Sequence, residues 1–359
     1  MTTMLAALTQ SVAATDARVF RTNLSDDLQT IDPLSFWGVT TSIVLSQVYE
    51  GFTAVTPDGR VKPALATSWQ TPDGGLTWRI GLRSGVRFHS GHEFTANDVL
   101  WTFTRLLQPR QQPSIGAFEL RRVVGARDVQ EGRNRTLAGV TMVDRYTIEV
   151  HFDEPDVLFP LVPFFFVDSA LEAEYGADWP NHGSGTGPFR LSAWHRGQDV
   201  LLSAHKDYWG GAPSMDAVRF AIIPHAETLL TLCDSGNLDF AVLPESLARL
   251  VLSEPRYADR RLTFLRSQSR YLGLNQTLYP PFRDPRVRQA MALALDRDAV
   301  IAGLYKGAAA RGDGAIPIGL QGYREGNVPP LPYDPARARQ LLAEAGYGKD
   351  HPLPPLELS

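Results

Sequence analysis

His89 and His92 stand three residues apart with Glu93 beside the second, a spacing that on a helix would turn two imidazoles and a carboxylate toward one metal ion. Gly85 and Gly91 bracket the segment and an alternating strand precedes it, so it reads as a turn carrying structural histidines, with no metal site. None of the eight histidines falls in an HExxH pattern. Gly183, Gly185 and Gly187 are spaced like a phosphate-cradling loop. Pro188 follows them, however, and no lysine or helix-opening residue stands where nucleotide binding needs one. The expectation is a tight turn feeding a strand at Phe189–Ser192, with glycine supplying positive φ and the loop able to approach a ligand.

No GxSxG elbow occurs, and Cys233, the sole cysteine, lies in an apolar helical stretch outside any nucleophile motif, which predicts a buried, inert thiol. One cysteine excludes an internal disulfide and a thiolate cluster. The side chains best suited to holding a solute are aromatic. Phe36, Trp37, Tyr49, Trp101 and Tyr271 sit at or near predicted loops and strand ends, where a flat ring gives contact area at low entropic cost. Core packing is the competing fate for each.

The elements that position them read as an α/β chain. Arg18–Leu24 alternates as a strand, and Ser42–Phe52 has helical apolar spacing. Leu76–Leu82 is a strand with Trp78, Ile80 and Leu82 on one face. Thr95 and Asp98 form a capping pair for a helix whose apolar stripe is Val99, Phe103, Leu106 and Leu107. Val140–Phe152 reads as two strands around Asp144 and Arg145. Ala226–Ser235 is a helix stopped by Gly236, with a strand at Phe240–Leu243; Tyr271–Asn275 is another strand. Asp284–Pro285 and Asp334–Pro335 open two further helices, the first with Val287, Met291, Ala294 and Leu295 on one face, and Asp296 caps a third. Leu356–Leu358 begins a strand with no following partner, so the second half reads as incomplete.

At 359 residues, with 43% hydrophobic and 21% charged residues, the chain exceeds one usual hydrophobic core and predicts at least two lobes. The formal net charge of −4, without a block of like charge, gives no footprint for nucleic acid. The most apolar stretch, Val157–Val167, contains Pro160 and Pro163 and is too short to span a bilayer. Met1–Ala14 is read as a clipped export signal, with Val12, Ala13 and Ala14 as the small-residue end.

Four blocks carry a resemblance. They are PALATSWQTPDGGLTWRIGLRSGVRFHSGHEFTANDVLWTFTRLL at Pro63–Leu107, GTGPFRLSAWHRGQDVLLSAHKDYWGG at Gly185–Gly211, YLGLNQTLYPPFRDPRVRQAMALALDRDAVI at Tyr271–Ile301, and YDPARARQLLAEAGY at Tyr333–Tyr347. In order and spacing they resemble the family 5 extracellular solute-binding proteins, the oligopeptide, dipeptide and nickel receptors of ABC importers. That resemblance implies a two-lobe periplasmic-binding-protein fold of type II, in its large peptide-binding class. It implies a first lobe over 18–240 with an inserted β-rich subdomain at about 50–165, and a partial second lobe over 241–359, while residues 1–17 before them are read as a signal remnant or a disordered start. It implies hinge closure on a solute. The chain is then expected to be a periplasmic, monomeric, non-enzymatic receptor that captures a peptide or related small solute for an inner-membrane permease, without cofactor, metal or nucleic acid. Ser35, Phe36 and Trp37, after the Thr30–Pro33 turn, and Tyr271 and Asn275, near the lobe junction, are the expected ligand contacts. Asp58, Arg83 and Asp98 are assigned structural roles. Because the second lobe reads as incomplete, weak binding by this chain alone is expected. The alternative is a solute-sensing domain of a cytoplasmic transcription regulator, disfavoured because no basic helix-turn-helix precedes Arg18.

Overall fold

The computed structural model describes residues 18–56, 60–109, 114–262, 269–305, 309–316, 318 and 323–356. The export-signal reading of Met1–Ala14, the structural role of Asp58, and all of the Leu356–Leu358 strand except Leu356 lie outside them; Leu356 itself is not in a strand. The chain divides into two compact units, Met1–Val242 and Leu243–Ser359.

The first unit runs β1 (Val19–Leu24), α1 (Val39–Val48), β2 (Thr53–Val55), β3 (Val61–Pro63), β4 (Ala66–Gln70), β5 (Thr77–Leu82), α2 (Ala96–Leu107), α3 (Ile115–Glu119), α4 (Ala126–Gln130), β6 (Val140–Asp144), β7 (Thr147–His151), α5 (Ala170–Tyr175), β8 (Phe189–His195), β9 (Asp199–Ala204), β10 (Ala217–Ile222) and α6 (Ala226–Asp234). One four-stranded sheet has the order β1-β10-β9-β8, in which β1 lies parallel to β10 and the other pairs are antiparallel. Everything between β1 and β8 is therefore inserted into a sheet whose first strand pairs with its last. A second sheet, β4-β5-β7-β6, is wholly antiparallel, and β2-β3 form a separate hairpin. The class is mixed α/β, as the sequence reading requires.

Period-two patterning explains the second sheet. Trp78, Ile80 and Leu82 all point inward, and Ile80 pairs with the equally buried Ile148 across β5 and β7. Beneath lies an aromatic core. Phe52, Phe103, Phe159, Phe164 and Phe166 are buried, with Phe52 and Phe166 centred 4.6 Å apart and Phe103 and Phe164 4.8 Å apart. Each such ring contributes roughly 2 to 3 kcal/mol through burial. Within the apolar Val157–Val167 stretch, Phe159 and Phe164 to Val167 supply core while Val157, Leu158 and Leu161 stay exposed, and among the described residues no helix is long and apolar enough to cross a membrane.

The predicted stripe of α2 is buried at Val99, Phe103, Leu106 and Leu107. Its start is fixed by Asp98, 4% exposed, which accepts from the Thr95 N–H at 2.8 Å and the Thr95 hydroxyl at 3.0 Å. The other carboxylate oxygen accepts from the Ser169 N–H and hydroxyl at 3.1 and 2.7 Å, tying the helix to the start of α5. Asp98→Ala strands four donors and is expected to cost about 2 to 4 kcal/mol in urea unfolding. A loss of only a few tenths would mean that water replaces the carboxylate.

Three expectations are corrected here. Phe240–Leu243 is not a strand: the Asp239 and Phe240 N–H groups share the Arg21 carbonyl, and the Val242 N–H goes to the Asn23 side chain, so no ladder propagates. The glycines at 183, 185 and 187 do not adopt positive φ. Helix α1 starts earlier than expected, at Val39, and ends at Val48. By contrast Gly236 takes φ 72° after α6, as a left-handed cap does. Cys233 is half-buried.

The second unit contains α7 (Glu245–Ser253), α8 (Pro285–Ala294), α9 (Arg297–Gly303) and α10 (Pro335–Glu344). Asp284, Asp296 and Asp334 cap the last three, accepting from the backbone of Arg286, Ala299 and Arg337 at 2.8 to 2.9 Å. Helices α8 and α10 pack through Ala290, Leu293, Ala338 and Leu341. The buried face of α8 is Val287, Ala290 and Leu293, rotated from the expected one; Ala294 and Leu295 are exposed. Tyr271–Asn275 is not a strand, because no neighbouring strand among the described residues pairs with it.

Candidate functional site

In the first unit the segment after β1 turns at Asp32, whose carboxylate accepts from the Leu34 N–H at 2.8 Å and the Ser35 hydroxyl at 2.5 Å. Leu34 is buried beneath this turn. Phe36 is 9% exposed and packs on Phe165 at 5.2 Å, which makes it a core anchor. Trp37 projects, 55% exposed. Gly38, with φ 130°, then redirects the chain into α1, a conformation other residues resist.

Helix α1 buries Thr41, Val44, Leu45 and Val48, while Val39 and Ile43, four residues apart on its opposite face, are exposed. Trp37, Val39 and Ile43 are therefore three exposed apolar side chains within seven residues of firmly anchored backbone. A helix whose apolar and polar residues are spread round its whole circumference does not reveal from sequence which face stays outside, so Val39 and Ile43 were not legible. Of the other expected contacts, Tyr49 is buried and Trp101 is half-buried with its indole N–H on Glu172 at 3.0 Å. In the second unit Tyr271 is 86% exposed, and the Asn275 side chain accepts from the Thr277 and Leu278 N–H groups at 2.9 Å.

The far end of α1 holds a half-buried polar node that the sequence did not announce. The Glu50 carboxylate accepts from the Tyr208 hydroxyl at 2.6 Å, the Trp209 indole at 2.8 Å and the Thr186 hydroxyl at 2.9 Å. Burial pushes its pKa above the ordinary value, against the pull of these donors and of Arg83. Arg83 donates to the Ala64 carbonyl at 3.0 Å and stacks on Trp209 at 4.5 Å. The glycine loop packs on the same end. A Cβ on Gly185 would overlap the Val48 carbonyl oxygen, and the Gly187 N–H donates to that oxygen at 2.9 Å. Close approach, not φ, demands these glycines.

A pocket of about 430 Å³ opens beside the start of α2, lined in part by His92, Glu93, Asp98, Arg145 and Asp168. Its carboxylates are already engaged. Asp168 takes the Ser90 hydroxyl at 2.6 Å and His92 at 3.0 Å, while Glu93 takes Arg145 and the Tyr146 hydroxyl at 2.7 Å each. Among the described residues no group of three or more histidine, cysteine or acidic side chains is arranged to hold a metal ion.

Residues 60–354 match the family described as bacterial extracellular solute-binding proteins, family 5 Middle. Heme-binding protein A of Haemophilus influenzae is 30% identical over 308 residues, 80% of this chain and 54% of its own length. Glutathione-binding protein GsiB of Salmonella paratyphi A is 29% identical over 337 residues, 90% of this chain and 60% of its own. The chain thus spans between 54% and 60% of these relatives. The fold is similar to the oligopeptide-binding protein AppA of Bacillus subtilis, with TM-score 0.75, 23% identity and coverage of 92% of this chain and 64% of that one. It is similar also to the murein tripeptide binding protein MppA of Escherichia coli, with TM-score 0.77, 22% identity and coverage of 94% and 68%.

Proposed function

The chain belongs to the family 5 bacterial extracellular solute-binding proteins, and from that premise we propose that it is the solute-capturing component of an ABC importer. It acts outside the cytoplasmic membrane, as a monomer, and delivers a peptide or related small solute to its permease without chemical turnover. The relatives described as binding heme, glutathione and oligopeptides support a receptor and give the regulatory-sensor alternative no footing.

The observation that carries a ligand role in this chain is the exposure of three apolar side chains close in sequence, Trp37, Val39 and Ile43. A large indole left 55% exposed, on backbone pinned by Asp32 and Phe36 and followed closely in sequence by two exposed aliphatics, has reason to persist where a solute covers it. Ser35 brings the loop to this position, and Tyr271 and Asn275 are the contacts proposed from the second unit.

Trp37→Ala is expected to weaken solute binding by roughly 30-fold, the scale of an aromatic hot spot, while moving the melting temperature little. Titration calorimetry with a defined tripeptide library, glutathione and heme as probes checks the first effect, and calorimetric melting the second. A large drop in melting temperature with binding unaltered would show that the indole is packing instead.

A further inference from the structure

Two histidines from distant parts of the chain meet on one backbone oxygen. His89 Nε2 lies 2.9 Å and His205 Nδ1 3.3 Å from the Gly187 carbonyl, and the rings stand edge to face with centroids 4.9 Å apart. A carbonyl only accepts, so each of these nitrogens carries the proton it donates. His89 Nδ1 is then the unprotonated nitrogen, and it is buried with no hydrogen-bond partner. The surrounding backbone adds the His89 N–H to the Gly185 carbonyl and the His205 N–H to the Pro188 carbonyl, each at 2.8 Å.

We propose that His89 and His205 form an acid-sensitive clasp that holds the 183–188 turn on the end of α1 when both rings are neutral and lets it go when His89 takes a second proton. A second proton on His89 would create a buried N–H with no acceptor and a cation against its neighbour's ring. The charged groups facing the pair are Arg190 of β8, which opposes protonation, and Asp207 after β9, which favours it on His205. The Glu50 carboxylate nearby is committed to Thr186, Tyr208 and Trp209.

Burial, with His205 and Arg190 adding to it, pushes His89 down to about 4, and burial and Arg190 push His205 down also. The sign follows from linkage. A histidine depressed in the closed state favours that state above its ordinary value of 6.5, and the preference is lost as pH falls toward 4. For His89 alone, opening between pH 7 and pH 5 becomes roughly twentyfold more populated. Because Gly187 donates to Val48, the last residue of α1, release of the turn removes a hydrogen bond from the end of that helix, whose own burial keeps it in place. Any effect of acid on solute retention rests on the receptor reading above; the clasp itself does not.

Amide hydrogen exchange across 183–187 and at His205, corrected for intrinsic rates, tests this in the gene's full product without ligand. Protection is expected to fall roughly twentyfold or more from pH 7 to pH 5 in the natural protein. It should stay flat in the His89→Gln, His205→Asn double variant, whose amides keep both donors to Gly187. Constant protection in the natural protein, or the same fall in the double variant, overturns the clasp. If the double variant does not fold, proton NMR titration of the natural protein decides: a His89 titration midpoint well below 6.5 supports the clasp, and one at or above it sinks it.

Discussion

Glu50→Ala is expected to unfold the first unit at markedly lower denaturant, with a loss of about 3 to 4 kcal/mol, because it leaves the Thr186, Tyr208 and Trp209 donors facing a hole. Glu50→Gln should cost less than about 1 kcal/mol at neutral pH. The amide oxygen can accept from Thr186 and Trp209 as one carboxylate oxygen does now, and the amide NH₂ can donate to Tyr208, whose hydroxyl turns to accept. The raised pKa of Glu50 points the same way, since burial already favours the neutral form. A group whose folded value lies above its ordinary one favours folding most at low pH. Glu50 therefore withdraws stability as pH rises from 4.5 through that raised value, and the Gln variant should lack this slope. Urea midpoints at several pH values check all three expectations. Equal losses for Ala and Gln would mean that the negative charge, not the hydrogen-bond geometry, holds the node together.

Gly185→Ala is the second large effect. The added methyl would meet the Val48 carbonyl, which is backbone fixed in the last turn of α1, so no side chain can swing away to admit it. Relief requires moving the loop and weakening the Gly187 N–H bond to Val48 together with the His89 N–H bond to Gly185. A cost of roughly 3 kcal/mol is expected. Gly197→Ala is the reference: nothing lies within 4 Å of a Cβ there, and only its φ of 69° is unfavourable, worth about 1 kcal/mol. Chemical unfolding of the two variants side by side separates steric overlap from backbone strain. A Gly185→Ala loss no larger than that of Gly197→Ala would refute the close-packing account of the loop.

What the sequence disclosed divides by range. Strand β5, helix α2 and the β6–β7 pair were legible because their signals are local: alternation at Trp78, Ile80 and Leu82, a cap at Thr95 and Asp98, a turn at Asp144 and Arg145. The three aspartate caps of the second unit were legible for the same reason. Tyr271–Asn275 misled because strand-forming residues make a strand only where a partner offers a ladder. Phe36 and Trp37 are adjacent aromatics with opposite fates, one against Phe165 and one in solvent, and no local pattern separates them. The Glu50 node joins residues 136 to 159 positions apart, so its existence depends on the fold itself. The glycine loop was recognised, yet its cause was not, since the Val48 backbone that crowds it lies far back in the chain.

The most direct test of the receptor role is native mass spectrometry of the gene's full product purified gently from cells, followed by denaturation and identification of whatever is released. Solute capture predicts a non-covalent small molecule of defined mass, peptide-like or chelate-like, that leaves intact on unfolding and rebinds to the stripped protein. A protein that carries nothing, binds none of the peptide, glutathione or heme probes when refolded, or returns its solute chemically altered would contradict it.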